Sequence, residues 1–144
     1  MEEHFRKLER MYLNAEVNKA LYPSTTVLIS EGTAEIGLEI SENYFHALGA
    51  IHGSVYFKLL DDAAFFAVNS VVHEVFVLTA SFNIKFLRPV AEGRLKSVGN
   101  LISTGNDRYL AESILFNSSG KKVAVGSGEF AKSKTQLSKD IGYY

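Results

Sequence analysis

Hydrophobic residues recur along this chain with two periods, and the change of period separates helical from extended segments. From residue 2 to about residue 20, apolar side chains appear at helical spacing among charged ones, and Pro23 follows as a stop signal. The apolar positions of this segment are Phe5, Leu8, Tyr12 and Ala15. The pattern predicts an amphipathic N-terminal helix.

A second helical segment, residues 52–70, is apolar almost all the way round. At about 100° per residue, Asp61 shares its face with Ser54 and three apolar residues, while Lys58, Asp62 and Asn69 share a narrower polar strip. The apolar neighbours of Asp61 are Phe57, Phe65 and Val68. We therefore expect a buried helix in which Asp62 pairs with Lys58 in water and Asp61 has a raised pKa.

Other segments alternate apolar and polar residues, which is typical of strands with one buried face. In residues 76–86 the even-numbered side chains, from Phe76 to Phe86, are the predicted buried set. Further strands are predicted at residues 25–30, 33–40, 94–103, 109–116 and 121–131. Glu31-Gly32 joins the first two strands as a hairpin, and the last four strands are predicted to form a meander.

These elements predict an α+β fold, in which an antiparallel sheet of five or six strands wraps around one long central helix. We expect one domain over residues 1–144, with an extra N-terminal helix in residues 1–23 and a polar C-terminal tail that frays in residues 132–144. A curved sheet around one helix leaves edges and apolar surface open. A homo-oligomer, either a dimer or a dimer of dimers, is therefore expected.

Composition narrows the possible functions. The 144 residues are 47% hydrophobic, and 15 basic residues against 16 acidic ones disfavour a nucleic-acid partner. The absence of cysteine excludes disulfides and thiol nucleophiles and agrees with a reducing compartment. The start MEEHFRKLER is unlike a secretion signal, and no run approaches the roughly 18 apolar residues of a membrane span. These features predict a cytoplasmic protein without a membrane partner.

The run HALGAIHGSVYFKLLDDAAFFAVNS, followed by ASFNIKFLRPV, resembles the hotdog-fold acyl-CoA thioesterases, specifically the phenylacetyl-CoA thioesterase-like branch. The resemblance covers roughly residues 24–131 and rests on His52-Gly53, on Asp61 nine positions after that histidine, and on Arg88-Pro89. The chain departs from the family at Ser54, where a second glycine is usual, and at His46, where asparagine is common. The resemblance implies a hotdog fold, acyl-CoA hydrolysis and active sites built from two chains.

Gly53 stands at the beginning of the predicted central helix and is the candidate oxyanion donor. Its N–H has no acceptor within the helix, and a glycine lets a thioester carbonyl approach this donor closely. Asp61 lies eight residues further on, about 12 Å along the same helix. Either the two groups serve different purposes, or they meet across a two-fold axis between protomers. Asp61 is then a general base for water or a nucleophile.

Two further residues are candidates for the catalytic site. Thr79 falls where the resemblance implies a Ser or Thr that holds the water or the acid. His46 takes the place of the asparagine, and a neutral imidazole can likewise donate or accept a hydrogen bond.

Six residues are candidates for substrate binding, and each has an ordinary structural alternative. Phe57 and Phe65 line an acyl pocket or belong to the core, whereas Arg88 and Arg94 contact the CoA phosphates or lie on the solvated surface. His52 and Ser54 flank the helix start, where a neutral, backbone-bonded histidine is the simpler expectation.

Other chemistries lack their sequence signatures. The chain has no HExxH or clustered carboxylates for a metal, no GxGxxG or P-loop for a nucleotide, and no GxSxG elbow. We expect no metal and no cofactor other than the CoA carried by the substrate. The remaining alternatives are a hotdog enoyl-thioester hydratase or dehydratase, and a non-catalytic acyl-CoA binding or sensing protein.

Overall fold

A helix enclosed by a curved sheet organises the computed structural model, which describes residues 1–144. The helices are α1 (Glu2–Asn14), α2 (Glu16–Leu21) and the central α3 (Gly53–Asn69), with single 3-10 turns at Glu42–Tyr44 and Lys139–Ile141. The strands are β1 (Thr26–Ser30), β2 (Thr33–Glu39), β3 (Val75–Phe86), β4 (Arg94–Thr104), β5 (Tyr109–Phe116) and β6 (Lys122–Gln136). No helix has both the length and the apolar composition needed to cross a bilayer.

The six strands form one antiparallel sheet in the order β1-β2-β4-β5-β6-β3. The predicted hairpin of β1 and β2 is confirmed, but the predicted four-stranded meander is wrong, because β3 pairs with β6 and not with β4. The connection after β3 is not a tight turn: Val90 is buried, and its carbonyl accepts a hydrogen bond of 2.9 Å from the Ile51 N–H. The chain therefore crosses to the far side of the sheet before β4 begins.

The facing of β3 also differs from strict alternation. Val77 is fully buried and Thr79 reaches a side chain of α3, so these two odd-numbered residues face the helix. Phe76 also packs against Phe65 of α3, with ring centroids 5.1 Å apart, beside a first register shift between Val75 and Val77. A register shift against β6 lies between Thr79 and Ser81. Beyond it, the even-numbered Phe82 and Ile84 pack on the core. A β-bulge reverses the facing of a strand, which period-2 counting does not anticipate.

α3 lies close to the sheet because small residues stand at the contact. Ten of its 17 residues are buried, and the Ser113 hydroxyl of β5 donates a 2.7 Å hydrogen bond to the Leu60 carbonyl. A Cβ at Gly99 of β4 would overlap the backbone of Ala63 and Ala64. The backbone of the helix therefore rests almost directly on β4.

The single N-terminal helix predicted for residues 2 to about 20 is two helices. The chain breaks at Ala15, which adopts an extended conformation with ψ 138°. The Asn18 side chain donates at 2.7 Å to the Tyr12 carbonyl, which also accepts from the Ala15 N–H at 3.2 Å, so two hydrogen bonds cap the end of α1. The prediction missed this break because an asparagine that bonds to the backbone has no signature in hydrophobic periodicity.

The C-terminal residues are ordered, contrary to the expectation of a frayed tail after residue 131. β6 continues to Gln136, and the Leu137 N–H donates to the Glu74 carbonyl at 3.0 Å. The Tyr143 hydroxyl is 2.7 Å from Nδ1 of the buried His4, whose Nε2 lies 2.9 Å from the Asn69 carbonyl oxygen. These hydrogen bonds hold the segment against α1 and the end of α3.

Replacing Gly99 by alanine should destabilise the fold strongly. The new methyl group overlaps backbone that cannot rotate away, so we expect a loss of at least about 3 kcal/mol in the free energy of unfolding, the upper part of the range for overpacking. Urea denaturation measures this. The exposed neighbour Asn100 provides the control: Asn100→Ala should change the free energy by less than about 0.5 kcal/mol. Equal stability of the two variants would contradict the close contact.

Candidate active site

Asp61 is a partly buried carboxyl on the face of α3 that turns toward β3. Its Oδ1 accepts a 2.8 Å hydrogen bond from the hydroxyl of Thr79, and its Oδ2 has no partner in the chain. Burial raises the pKa of Asp61 to about 6, while the hydrogen bond from Thr79 lowers it in part. The expectation of a raised pKa is confirmed, with burial as its main cause.

The neighbouring Asp62 has a different environment. Its Oδ2 accepts hydrogen bonds from Lys58 Nζ at 2.7 Å and from the Tyr12 hydroxyl at 2.6 Å. The predicted Lys58–Asp62 pair is confirmed, but it is largely covered by α1, with 15% and 22% of the two side chains exposed. The expectation that Asp62 stays in water is therefore wrong, because α1 packs across this strip.

The start of α3 has the geometry of a polar binding site. The Gly53 N–H belongs to the first turn, where no acceptor is available within the helix. His52 is the N-cap: its Nδ1 accepts from the Ser54 N–H at 3.0 Å and lies 2.8 Å from the Ser54 hydroxyl. A Cβ at Gly53 would stand 3.3 Å from the Phe86 ring, so this position favours glycine.

Two further predicted residues lie beside this helix start. His46 belongs to a tight loop whose ends pair at Phe45 and Ile51, and its Nδ1 accepts from the Leu48 N–H at 3.1 Å. Its Nε2 is then the protonated nitrogen. The exposed Arg88 follows β3, where its carbonyl accepts a 2.8 Å hydrogen bond from the Tyr56 hydroxyl of α3. Its guanidinium has no ion-pair partner.

Arg94 is held elsewhere. Its guanidinium donates to the Thr26 hydroxyl at 2.7 Å and lies 3.8 Å from Glu39. It lines a shallow depression over β1, β2 and β4, not the cavity beside Asp61. The structure therefore does not bring Arg94 to Asp61.

A cavity of about 860 Å³ adjoins Asp61 and Thr79. Phe65 lines it and also packs on the core, whereas Phe57 stands outside it, 41% exposed and edge-on to Phe82 at 5.4 Å. The part of the lining that sequence analysis missed comes from the N-terminal helices: Met11, Tyr12, Ala15, Val17, Asn18 and Tyr22. The apolar face predicted for the first helix was the available signal, because a face that packs on the core can equally cover a cavity.

Within one chain the predicted groups fall into two sets at different places on α3. Asp61 and Thr79 adjoin the cavity, whereas His52, Gly53 and Ser54 form the start of the helix. The loop of His46 ends at Ile51, next to this start, and the backbone of Arg88 bonds to Tyr56 of the first turn. The separation of Gly53 and Asp61 is about 12 Å along the axis, because both residues belong to one continuous helix. No cluster of three His, Cys, Asp or Glu side chains is placed to hold a metal ion.

Comparison with known proteins identifies the family. Residues 48–124 match the thioesterase superfamily, and the chain belongs to it. The PaaI protein of the phenylacetic acid degradation operon of E. coli superposes with a TM-score of 0.84 at 22% identity, over 95% of this chain and 98% of that one. A thioesterase from Haemophilus influenzae gives 0.77 at 18% identity, over 88% of each chain. The hotdog fold predicted from the sequence is confirmed, and membership supports thioester hydrolysis as the class of reaction.

Asp61→Asn should stabilise the protein at neutral pH. Because the folded-state pKa of about 6 lies above the ordinary value of 3.8, the wild type loses stability as pH rises from about 4 through 6. The amide variant has no such loss. Allowing for screening by the solvent that reaches the carboxyl, it should exceed the wild type by about 1 to 2 kcal/mol at pH 8.

Urea denaturation between pH 4 and pH 8 measures this difference. It should shrink toward zero as the pH falls through about 4, because Asp61 then becomes protonated in the unfolded state as well as in the folded one. A difference that is constant over this range would show that burial does not raise the pKa of Asp61.

Proposed function

We propose that the protein hydrolyses an acyl-CoA thioester to a free acid and CoA, without a further cofactor. The observation that carries this proposal is the Asp61 carboxyl: partly buried, with a pKa of about 6, one oxygen held by Thr79 and the other free beside a cavity. A base with a pKa near the working pH is both ionised and able to take a proton.

In the proposed mechanism Asp61 acts as a general base. Oδ2 takes a proton from a water molecule while the water oxygen attacks the thioester carbon, and the carbonyl electron pair moves onto its oxygen. A backbone N–H at the start of α3 stabilises this oxyanion. The tetrahedral intermediate collapses, the carbon–sulfur bond breaks, and the thiolate takes the proton from Asp61. Thr79 is a positioning residue, because its hydroxyl fixes Oδ1 and leaves Oδ2 to the water.

The oxyanion donor comes from a second copy of the chain in this proposal. Gly53 and Asp61 are about 12 Å apart on one helix, so a single thioester carbon cannot contact both groups of the same chain. Across a two-fold interface, it can contact Asp61 of one chain and Gly53 of the partner subunit. β3 supports such an interface. It is an edge strand paired only with β6, and it carries exposed Leu78 and Phe86 at 52% and 55%.

The residues around the start of α3 then complete the site of the partner's Asp61. His46 Nε2–H is a second donor for the carbonyl or the water, and His52 and Ser54 fix the first turn by capping it. Arg88 is the proposed contact for a CoA phosphate, because its guanidinium is exposed and lacks an ion-pair partner. Arg94 is a poorer candidate, since Thr26 and Glu39 already hold it.

A subunit-mixing experiment tests the two-chain site. Gly53→Pro removes the N–H at a helix position that tolerates proline, and Asp61→Asn removes the base. Each homo-oligomer should lose at least about a hundredfold in kcat/KM, by release of thiol from acyl-CoAs. A heterodimer purified through two different tags keeps one intact site and should recover about half of the wild-type activity.

Gly53→Ala is the matched control, because it adds a Cβ near Phe86 but keeps the N–H. It should retain far more activity than Gly53→Pro. A heterodimer as inactive as its two parents would place Asp61 and its oxyanion donor in one chain. Wild type that binds acyl-CoAs tightly without turnover would favour a sensing protein instead.

Replacement of Thr79 should move the pH dependence of the reaction. The acid limb of kcat/KM should rise through about pH 6 in the wild type, because Asp61 must be ionised. Thr79→Val removes the hydrogen bond that lowers the pKa, so this limb should move to higher pH. Thr79→Ser keeps the hydroxyl and should restore the wild-type profile. Identical limbs in the valine and serine variants would remove Thr79 from this role.

A further inference from the structure

The cavity beside Asp61 continues beneath the two N-terminal helices. α3 and β3 contribute Asp61, Phe65, Leu78 and Thr79 to its wall, and the facing wall includes side chains of α1 and α2. Its volume of about 860 Å³ lies within the roughly 300–1,000 Å³ of small-molecule sites. The carboxyl that the proposed hydrolysis requires therefore opens directly onto space large enough for a substrate group.

We propose that α1 and α2 roof an acyl-binding subsite that takes an uncharged, mainly apolar acyl chain. This rests on the proposed hydrolysis at Asp61, which fixes the thioester carbon at that wall. Apolar side chains from five elements line the space: Met11, Val17, Phe65, Phe76, Leu78 and Ile141. The subunit that supplies the base thus also supplies the acyl pocket, while its partner supplies the oxyanion donor.

The charges in the cavity exclude an acyl group with a terminal carboxylate. Asp61 and Asp62 both line the space, and Lys58 is the only cationic side chain among the lining residues. The three protons of its ammonium group already have three acceptors: Asp62 at 2.7 Å, Asn18 at 2.7 Å and the Tyr12 hydroxyl at 3.1 Å. A second carboxylate would be desolvated beside two others with no free cation, which is strongly unfavourable.

Val17 sets the accessible length of the pocket in this arrangement. It lines the cavity but is 48% exposed, so it stands at the rim and not in the core. A larger side chain there fills the cavity without disturbing core packing. Ala20, also exposed on α2, does not line the cavity and provides a matched position.

The experiment measures kcat/KM for straight-chain acyl-CoAs from acetyl to dodecanoyl in the wild type, Val17→Trp and Ala20→Trp. In the wild type we expect a rise of about fourfold per added methylene until the pocket is full. Val17→Trp should lower the ratio of kcat/KM for decanoyl-CoA to that for acetyl-CoA by at least about tenfold. Ala20→Trp should follow the wild type. If the two tryptophan variants share one chain-length profile, the subsite does not lie beneath the N-terminal helices.

Two further measurements separate this proposal from the hydrolysis on which it rests. Calorimetric binding of S-decyl-CoA, a thioether that cannot be hydrolysed, should weaken in Val17→Trp and not in Ala20→Trp. If Val17→Trp alone binds S-decyl-CoA more weakly while the wild type hydrolyses no thioester, the acyl-binding subsite is supported and the proposed hydrolysis is overturned. For the charge rule, octanoyl-CoA should be cleaved at least about tenfold faster than suberyl-CoA, its ω-carboxylate analogue. Equal rates would overturn the exclusion of charged acyl groups.

Discussion

The contact between α3 and β4 is the constraint on which the rest of the structure depends. Gly99 lets the helix backbone lie against the strand, and the Ser113 hydroxyl bonds to the Leu60 carbonyl beside it. At this depth the sheet covers most of the helix surface, and α1 covers part of what remains. Asp61 lies on the part of this enclosed helix that faces β3 and the cavity, and its partial burial there raises the pKa of the carboxyl.

Local patterns predicted the elements well and their long-range arrangement less well. The central helix, expected at residues 52–70, spans Gly53–Asn69, and β5 spans Tyr109–Phe116 as predicted. Hydrophobic period is a property of neighbouring residues, so it carries this information. The pairing of β3 with β6 depends on how the connection after β3, with its buried Val90, packs against distant segments. A local hydrophobic pattern contains no information about such long-range packing.

The candidate site shows the same division. Asp61 and Asp62 are adjacent in sequence, and the helical period alone assigned them to different faces and paired Asp62 with Lys58. The roof of the cavity was not predicted, because an amphipathic helix does not reveal whether its apolar face meets packed side chains or open space. Lys58 compensates the charge of Asp62, and burial outweighs the repulsion from Asp62 in raising the pKa of Asp61.

The bulge in β3 has a consequence for how this architecture diversifies. The irregularity between Thr79 and Ser81 directly follows the threonine whose hydroxyl reaches Asp61, and it decides which later side chains of the strand turn away from α3. The hydrogen bond to the proposed catalytic base and the set of side chains exposed on β3 thus depend on the same backbone irregularity. Loss of the extra residue in a descendant would realign both at once, so neither property is free to evolve separately along this strand.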